Sequence, residues 1–322
     1  MFKQFLHHAT SLRRCTLVVA MALTASLAAL GGVASSASAA PKGEYAVFYD
    51  CPLSNPAVIG CLVGKTESGE FVFGTKKTRV PIEKPITLQG GTEEEVPAEF
   101  RNPFVEAADG NTLSKTPQTV PGGLLGIKCE DIKGEGPHEK GARKLCEEAV
   151  KSKLNTVTAT TELALPAPPA TVGAIFLSED SLFEPVLYEV YGIPAFGLPV
   201  KVKLENPLLG NECYIGSSTE PVVLKLTTGT TKPPLPNKPI TGKPGTLSSR
   251  AEERILVISD NTLVDNSFAV PAAKGCGGKA FEALIDPIVN AKLGLPSAAG
   301  NNTAVLNGTL ELTGSEAARE SE

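Results

Sequence analysis

Histidine is the side chain that most often performs acid–base chemistry near neutral pH, and the 322-residue sequence contains only three. Two of them, His7 and His8, lie in an N-terminal segment that we expect to be removed. The third, His138, lies in the polar run Gly-Glu-Gly-Pro-His-Glu-Lys, which is typical of an exposed helix start. The sequence has no G-x-S-x-G motif. We therefore expect His138 to be dispensable and predict no Ser-His-Asp triad.

Carboxylates are the second group that could perform chemistry, because two of them can hydrolyse a glycosidic bond. Glutamates 93–95 and 147–148 are candidates by residue type, although acidic neighbours in sequence are usually solvated surface charge. Oxygen ligands suited to calcium occur at 109–111 and 260–266, but neither segment matches the EF-hand pattern. Both segments coincide with a repeated Asn-Thr-Leu, so we interpret them as turns. The sequence predicts no metal site and no cofactor.

The run Gly-Cys-Leu-Val-Gly-Lys-Thr at 60–66 is similar to a phosphate-binding loop. Its spacing is one residue short of G-x-x-x-x-G-K-[ST], and no helix pattern follows it. We expect a strand that carries a cysteine instead.

The first 39 residues have the pattern of a secretory signal peptide. Lys3, Arg13 and Arg14 precede an apolar run at 16–30, and Ala-Ser-Ala at 37–39 fits the cleavage rule. We expect the mature chain to begin at Ala40 and to be secreted. No later segment has the roughly 18 unbroken apolar residues that a membrane span needs.

Six of the seven cysteines remain after cleavage, and an even number in an exported chain predicts three disulfides. They are Cys51, Cys61, Cys129, Cys146, Cys213 and Cys276. No C-x-x-C is present, which argues against a redox or zinc site. Internal similarity predicts the pairs 61–129, 213–276 and 51–146. The rival assignment pairs nearest neighbours, 51–61 and 129–146.

That similarity consists of three short segments that recur in the same order. The matching segments are 61–64 with 213–216, 84–87 with 238–241, and 111–113 with 261–263. Each copy continues with a Val-Pro, a cysteine, an amphipathic helix pattern and a Thr-rich alternating stretch. We interpret the chain as an internal duplication.

The predicted fold class is α+β and rich in β-structure, with two tandem modules that are cross-linked by disulfides. Each module is expected to be a mostly antiparallel sheet with one packed helix. The predicted boundaries are 40–166 for the first module, 167–197 for a linker, 198–314 for the second module and 315–322 for a polar tail. A short helix is expected at 181–191.

Three runs resemble uncharacterised exported proteins of high-GC Gram-positive bacteria: Cys-Leu-Val-Gly-Lys-Thr-Glu-Ser-Gly at 61–69, Asn-Pro-Leu-Leu-Gly at 206–210, and Leu-Gly-Leu-Pro at 293–296. The resemblance implies an extracytoplasmic location only, and it carries no activity over to this chain. The net charge of −5 argues against a nucleic-acid partner. The sequence therefore favours a non-catalytic binding or structural protein of the cell envelope or extracellular space. A secreted hydrolase acting through paired carboxylates is the alternative.

Overall fold

Antiparallel strands form most of the molecule, as expected for a sequence whose apolar runs are rich in Val, Ile and Thr. The computed structural model describes residues 40–97, 99–124, 126, 129–165 and 175–321. The predicted signal peptide lies outside the described residues, and so do residues 167–174 at the start of the predicted linker. In the described part, the strands are β1 (Gly60–Phe73), β2 (Thr78–Pro81), β3 (Ile86–Thr92), β4 (Asn102–Glu106), β5 (Gln118–Thr119), β6 (Thr158–Leu163), β7 (Phe176–Leu177), β8 (Phe196–Glu205), β9 (Tyr214–Ile215), β10 (Val222–Leu226), β11 (Thr246–Arg250), β12 (Ile255–Asp265), β13 (Ala273–Lys274) and β14 (Thr303–Gly314).

The strands pair in the order β11-β12-β14-β1-β3-β4-β7-β8-β6-β5, with the remaining strands attached to β1, β8 and β9. Strands β1, β12 and β14 share one large hydrophobic cluster with β8 and β10, so the two parts of this path face each other across the core. A bridge between Thr227 and Val264 joins the ends of β10 and β12. The described residues, from 40 onward, form one compact unit.

Each half of the chain contains a strand that pairs with a strand of the other half. The last long strand of the second half, β14, pairs along its length with β1, the first strand of the first half. Strand β6 of the first half pairs with β8, which begins the second half. The two predicted modules therefore share strands, and the duplication itself stays a prediction.

Strand β1 is bent by a bulge opposite β14. The register shifts between Thr66 and Ser68, and Gly69 has a φ of +127°. A Cβ atom at Gly69 would lie 1.9 Å from the Val305 carbonyl oxygen, so only glycine fits at this close approach.

The helices are α1 (Pro137–Val150), α2 (Glu179–Phe183), α3 (Pro185–Tyr191), α4 (Gly278–Leu293) and α5 (Ser315–Glu320). Helices α2 and α3 lie where the sequence predicts a short helix. The segment predicted as a polar tail is instead largely helix α5, with Ala317 and Ala318 buried. Arg319 of α5 donates hydrogen bonds to the carbonyls of Leu53, Asn55 and Val58 at 3.1–3.3 Å.

The amphipathic patterns of α1 and α4 correctly predict helices, but the expectation of one packed helix in each module is not met by α1 and is met only in part by α4. Helix α1 has no buried residue, and Leu145 is 69% exposed. In α4, Val289 is buried while Phe281 and Leu284 remain exposed.

The disulfides correct the pairing expected from duplication. Cys51 bonds to Cys61 and Cys129 to Cys146, which is the nearest-neighbour assignment. The bond between Cys213 and Cys276 agrees with the prediction. Matching Cys61 to Cys213 was wrong because Cys61 lies near the start of β1, whereas Cys213 follows β8 and directly precedes β9.

Candidate functional site

Two polar side chains one turn apart fix helix α4 to the chain that precedes it. The Asp286 carboxylate accepts hydrogen bonds from the backbone N–H of Gly275 at 3.2 Å and of Cys276 at 2.7 Å. The Asn290 side chain exchanges two hydrogen bonds with the backbone of Ala273, at 2.7 and 2.9 Å. Residues 286 and 290 lie on one face of the helix, so these bonds set its rotation about its own axis.

The segment that carries those backbone groups is itself held in place. Cys276 is fully buried in its disulfide to Cys213, and the N–H of Gly277 donates to the Leu209 carbonyl at 2.7 Å. Gly277 has a φ of +84°, and a Cβ atom there would lie 2.7 Å from Ile285 Cγ1. Glycine is therefore required where the chain turns into α4.

The apolar face of α4 covers a pocket of about 380 Å³. Strands β1, β2, β6 and β8 supply Phe73, Val80, Ala159, Val202 and Leu204, and the helix supplies Ile285, Ile288, Val289 and Leu293. Among the described lining residues, only Thr78 and Lys292 carry polar side-chain atoms. Small-molecule pockets typically have roughly 300–1,000 Å³ and a mostly apolar lining with few polar groups, and this pocket fits that description.

The mouth of the pocket consists of the three lining residues that are exposed: Leu208, Ile288 and Lys292. Leu208 is 55% and Ile288 is 54% exposed, which is unusual for large apolar side chains that line a cavity. A ligand in the pocket would remove both from water.

Further exposed apolar residues lie near the mouth. Leu154 is 61% exposed, and its carbonyl accepts a hydrogen bond from Asn206, whose side-chain oxygen in turn accepts from the Leu208 N–H. Leu284, one turn before Ile288 on α4, and Phe281, two turns before it, are also exposed. Exposed apolar side chains beside a pocket are typical of binding sites on folded proteins.

Lys292 is the one cation among the described lining residues, and it makes no hydrogen bond or ion pair to another described residue. A Cβ atom at Gly126 would lie 2.8 Å from Lys292 Nζ, so the ammonium lies against the turn at 123–126. Partial desolvation by this turn and the apolar wall lowers the pKa of Lys292 from its ordinary value. An anion bound at the mouth would offset that desolvation.

A second opening, of about 840 Å³, surrounds the C-terminal end of α3. Its Arg101 already pairs with Glu99 at 2.8 Å and stacks on the Phe176 ring at 4.6 Å. Lys225 and the carboxylate of Glu99 also line this opening, so it has mixed charge, whereas the described lining of the α4 pocket has one cation in an apolar wall.

The residues that the sequence singles out for chemistry are not brought together. His138 is exposed at the start of α1, and glutamates 147 and 148 are exposed on the same helix. Glutamates 93–95 follow β3 in a partly exposed loop. None of these residues lines the α4 pocket.

The segments with oxygen ligands have structural roles. Asp109 Oδ1 accepts from the Asn111 N–H at 2.7 Å in a turn. Asp265 is buried, and its carboxylate accepts from the N–H groups of Lys225 and Ser267 at 2.7 and 2.8 Å. Burial raises the pKa of Asp265. Across the described ranges, no three His, Cys, Asp or Glu residues cluster with metal-ligand geometry.

The run at 60–66 is part of strand β1, as predicted, and takes no part in a phosphate-binding loop. Sequence reasoning did not find the pocket, which forms from segments far apart in the chain. The signal that could have pointed to it is Lys292, a lysine within the apolar stripe of α4, one turn after Ile288.

Comparison with known proteins gives no relatives: no family model, no curated protein and no solved structure matches this chain. In the part of the chain that the structure describes, no helix is both long enough and apolar enough to cross a membrane.

Proposed function

We propose that this is an exported, non-catalytic binding protein that holds a small apolar ligand in the pocket under α4. The observation that carries the proposal is the pocket of about 380 Å³, whose walls are apolar and whose mouth exposes Leu208 and Ile288. Each Å² of apolar surface that a ligand removes from water contributes about 25 cal/mol to the transfer free energy.

Export rests on separate support. The pattern of residues 1–39 is that of a signal peptide, and three disulfides are typical of an oxidising compartment. The resemblance to exported proteins of high-GC Gram-positive bacteria supports a ligand in the cell envelope or the surrounding medium.

The composition of the pocket supports binding over catalysis. Its described lining offers one hydroxyl and one ammonium, and no carboxylate, imidazole or thiol. General acid–base hydrolysis needs a proton donor and acceptor placed at the reacting bond. The hydrolase alternative therefore has no support at this site.

The test uses a neutral apolar dye, N-phenyl-1-naphthylamine, with the mature disulfide-bonded protein. We expect saturable binding of one dye per chain. Val202→Phe fills the pocket and should weaken binding at least tenfold. Val223→Phe, a Val-to-Phe change on exposed surface of β10, is the matched control and should bind normally. Equal binding by both variants, or binding without saturation, would refute the proposal.

A further inference from the structure

The position of Lys292 on α4 carries an inference that rests on the proposed function. Ile288 and Val289 lie four and three residues before it, so all three share the helix face that covers the pocket. The side chain is long enough to contact the apolar wall through its methylenes while its ammonium stays at the water boundary. The described lining thus has an apolar interior and one cation, Lys292, at its mouth.

A cation against an apolar wall without an anionic neighbour is unfavourable, because water is partly excluded and no opposite charge replaces it. The lowered pKa of Lys292 is the sign of that loss of solvation. A ligand with an anionic end would restore the balance through a charge-assisted hydrogen bond.

The charge and size of the pocket narrow the ligand further. One ammonium matches one negative charge, whereas a dianionic phosphate monoester would keep an uncompensated charge at an apolar mouth. A volume of about 380 Å³ lies near the lower end of the range for small-molecule sites, which favours one hydrocarbon chain over the two of a phospholipid.

We propose that the ligand is a single-chain carboxylate of the fatty-acid class, with its chain in the α4 pocket and its carboxylate paired with the Lys292 ammonium. The apolar side chains at the mouth then cover the first carbons of the chain. No bond is formed or broken in this step.

The absence of tryptophan from the sequence provides a direct readout. Leu208→Trp places a single indole at the mouth, and Ile288→Trp is a second reporter if the first variant does not fold. Three ligands with the same sixteen-carbon chain are titrated below their micelle-forming concentrations: palmitate, hexadecanol and hexadecyl phosphate. The change in indole emission gives each affinity.

We expect palmitate to bind about tenfold more tightly than hexadecanol, the gain of one charge-assisted hydrogen bond. Lys292→Met should abolish this preference by weakening palmitate binding to the level of hexadecanol. Lys279→Met, which removes a lysine from the opposite end of α4, should keep the preference.

The carboxylate assignment is overturned if Lys292→Met keeps the preference for palmitate, or if hexadecyl phosphate binds more tightly than palmitate. If no sixteen-carbon ligand binds although N-phenyl-1-naphthylamine does, the pocket is functional and the ligand class is wrong. If the dye also fails to bind, the proposed function itself fails.

Discussion

The disulfide between Cys213 and Cys276 should contribute more to the free energy of unfolding than either of the other two disulfides. It closes a loop with a sequence separation of 63 residues. Loop-closure entropy in the unfolded chain then gives about 4 kcal/mol. Both cysteine side chains are fully buried. The bond also fixes Cys276, whose backbone N–H donates to the Asp286 carboxylate of α4. Replacing both cysteines by alanine should therefore lower the free energy of unfolding by at least that amount.

The bond between Cys129 and Cys146 has a separation of 17 residues, for which the same relation gives about 3 kcal/mol. We expect a much smaller effect, under about 1 kcal/mol, because α1 has no buried residue. Once the bond is removed, α1 can unfold locally while the rest of the protein stays folded. Removal of the disulfide then increases the chain entropy of the native state nearly as much as that of the unfolded state, so the free energy of unfolding changes little.

Urea unfolding followed by circular dichroism tests both double-alanine variants against the wild type at one pH. The expected result is a large fall in midpoint for the 213/276 variant and a small one for the 129/146 variant. Equal losses in the two variants would refute the reasoning, since they would mean that α1 is an integral part of the cooperative unit. The 213/276 variant should also bind N-phenyl-1-naphthylamine more weakly, whereas the 129/146 variant should not.

Three further predictions concern side chains outside the pocket. Asp265→Ala should lower the free energy of unfolding by about 1–3 kcal/mol, because the N–H groups of Lys225 and Ser267 lose the buried carboxylate that accepts from them. Urea unfolding measures this, and Asp109→Ala, which removes one exposed hydrogen bond, is the control. Burial raises the pKa of Asp50, so the stability it contributes is present below about pH 4 and is lost as the pH rises through the raised pKa; Asp50→Asn should flatten that part of a stability–pH curve, and an unchanged curve would contradict it. Arg319→Ala should lower stability by about 1–3 kcal/mol by releasing the loop at 53–58 from α5, and Arg79→Ala, an exposed arginine, should have little effect.

Much of the secondary structure could be predicted from local pattern. Short apolar runs bounded by Gly, Pro or charged residues indicate strands at 70–73, 85–88, 200–204, 222–226 and 255–258, and strands of the structure cover nearly all of these residues. Alternation of apolar and polar residues is a local property, so it survives whatever the tertiary arrangement is.

The misplaced elements are those whose conformation depends on distant partners. The run at 45–49 has a strong strand composition but forms a 3-10 helix at Gly43–Phe48. There Phe48 packs in a small second core with Cys51, Cys61 and Ala318 of α5. Nothing in the local sequence shows that α5 covers this segment, and the same contact explains why 315–322 is not a free tail.

The pocket was beyond sequence reasoning for a related reason, since its walls come from both halves of the chain. Phe73 and Ala159 belong to the first half, whereas Val202 and Ile288 belong to the second. They meet because strands of the two halves pair with each other: β6 pairs with β8, and β14 pairs with β1. Two modules that folded separately would each lack part of the wall. The pairing of strands between the two halves therefore creates the pocket. The apolar face of α4 is left partly exposed because it lies at the mouth of the pocket.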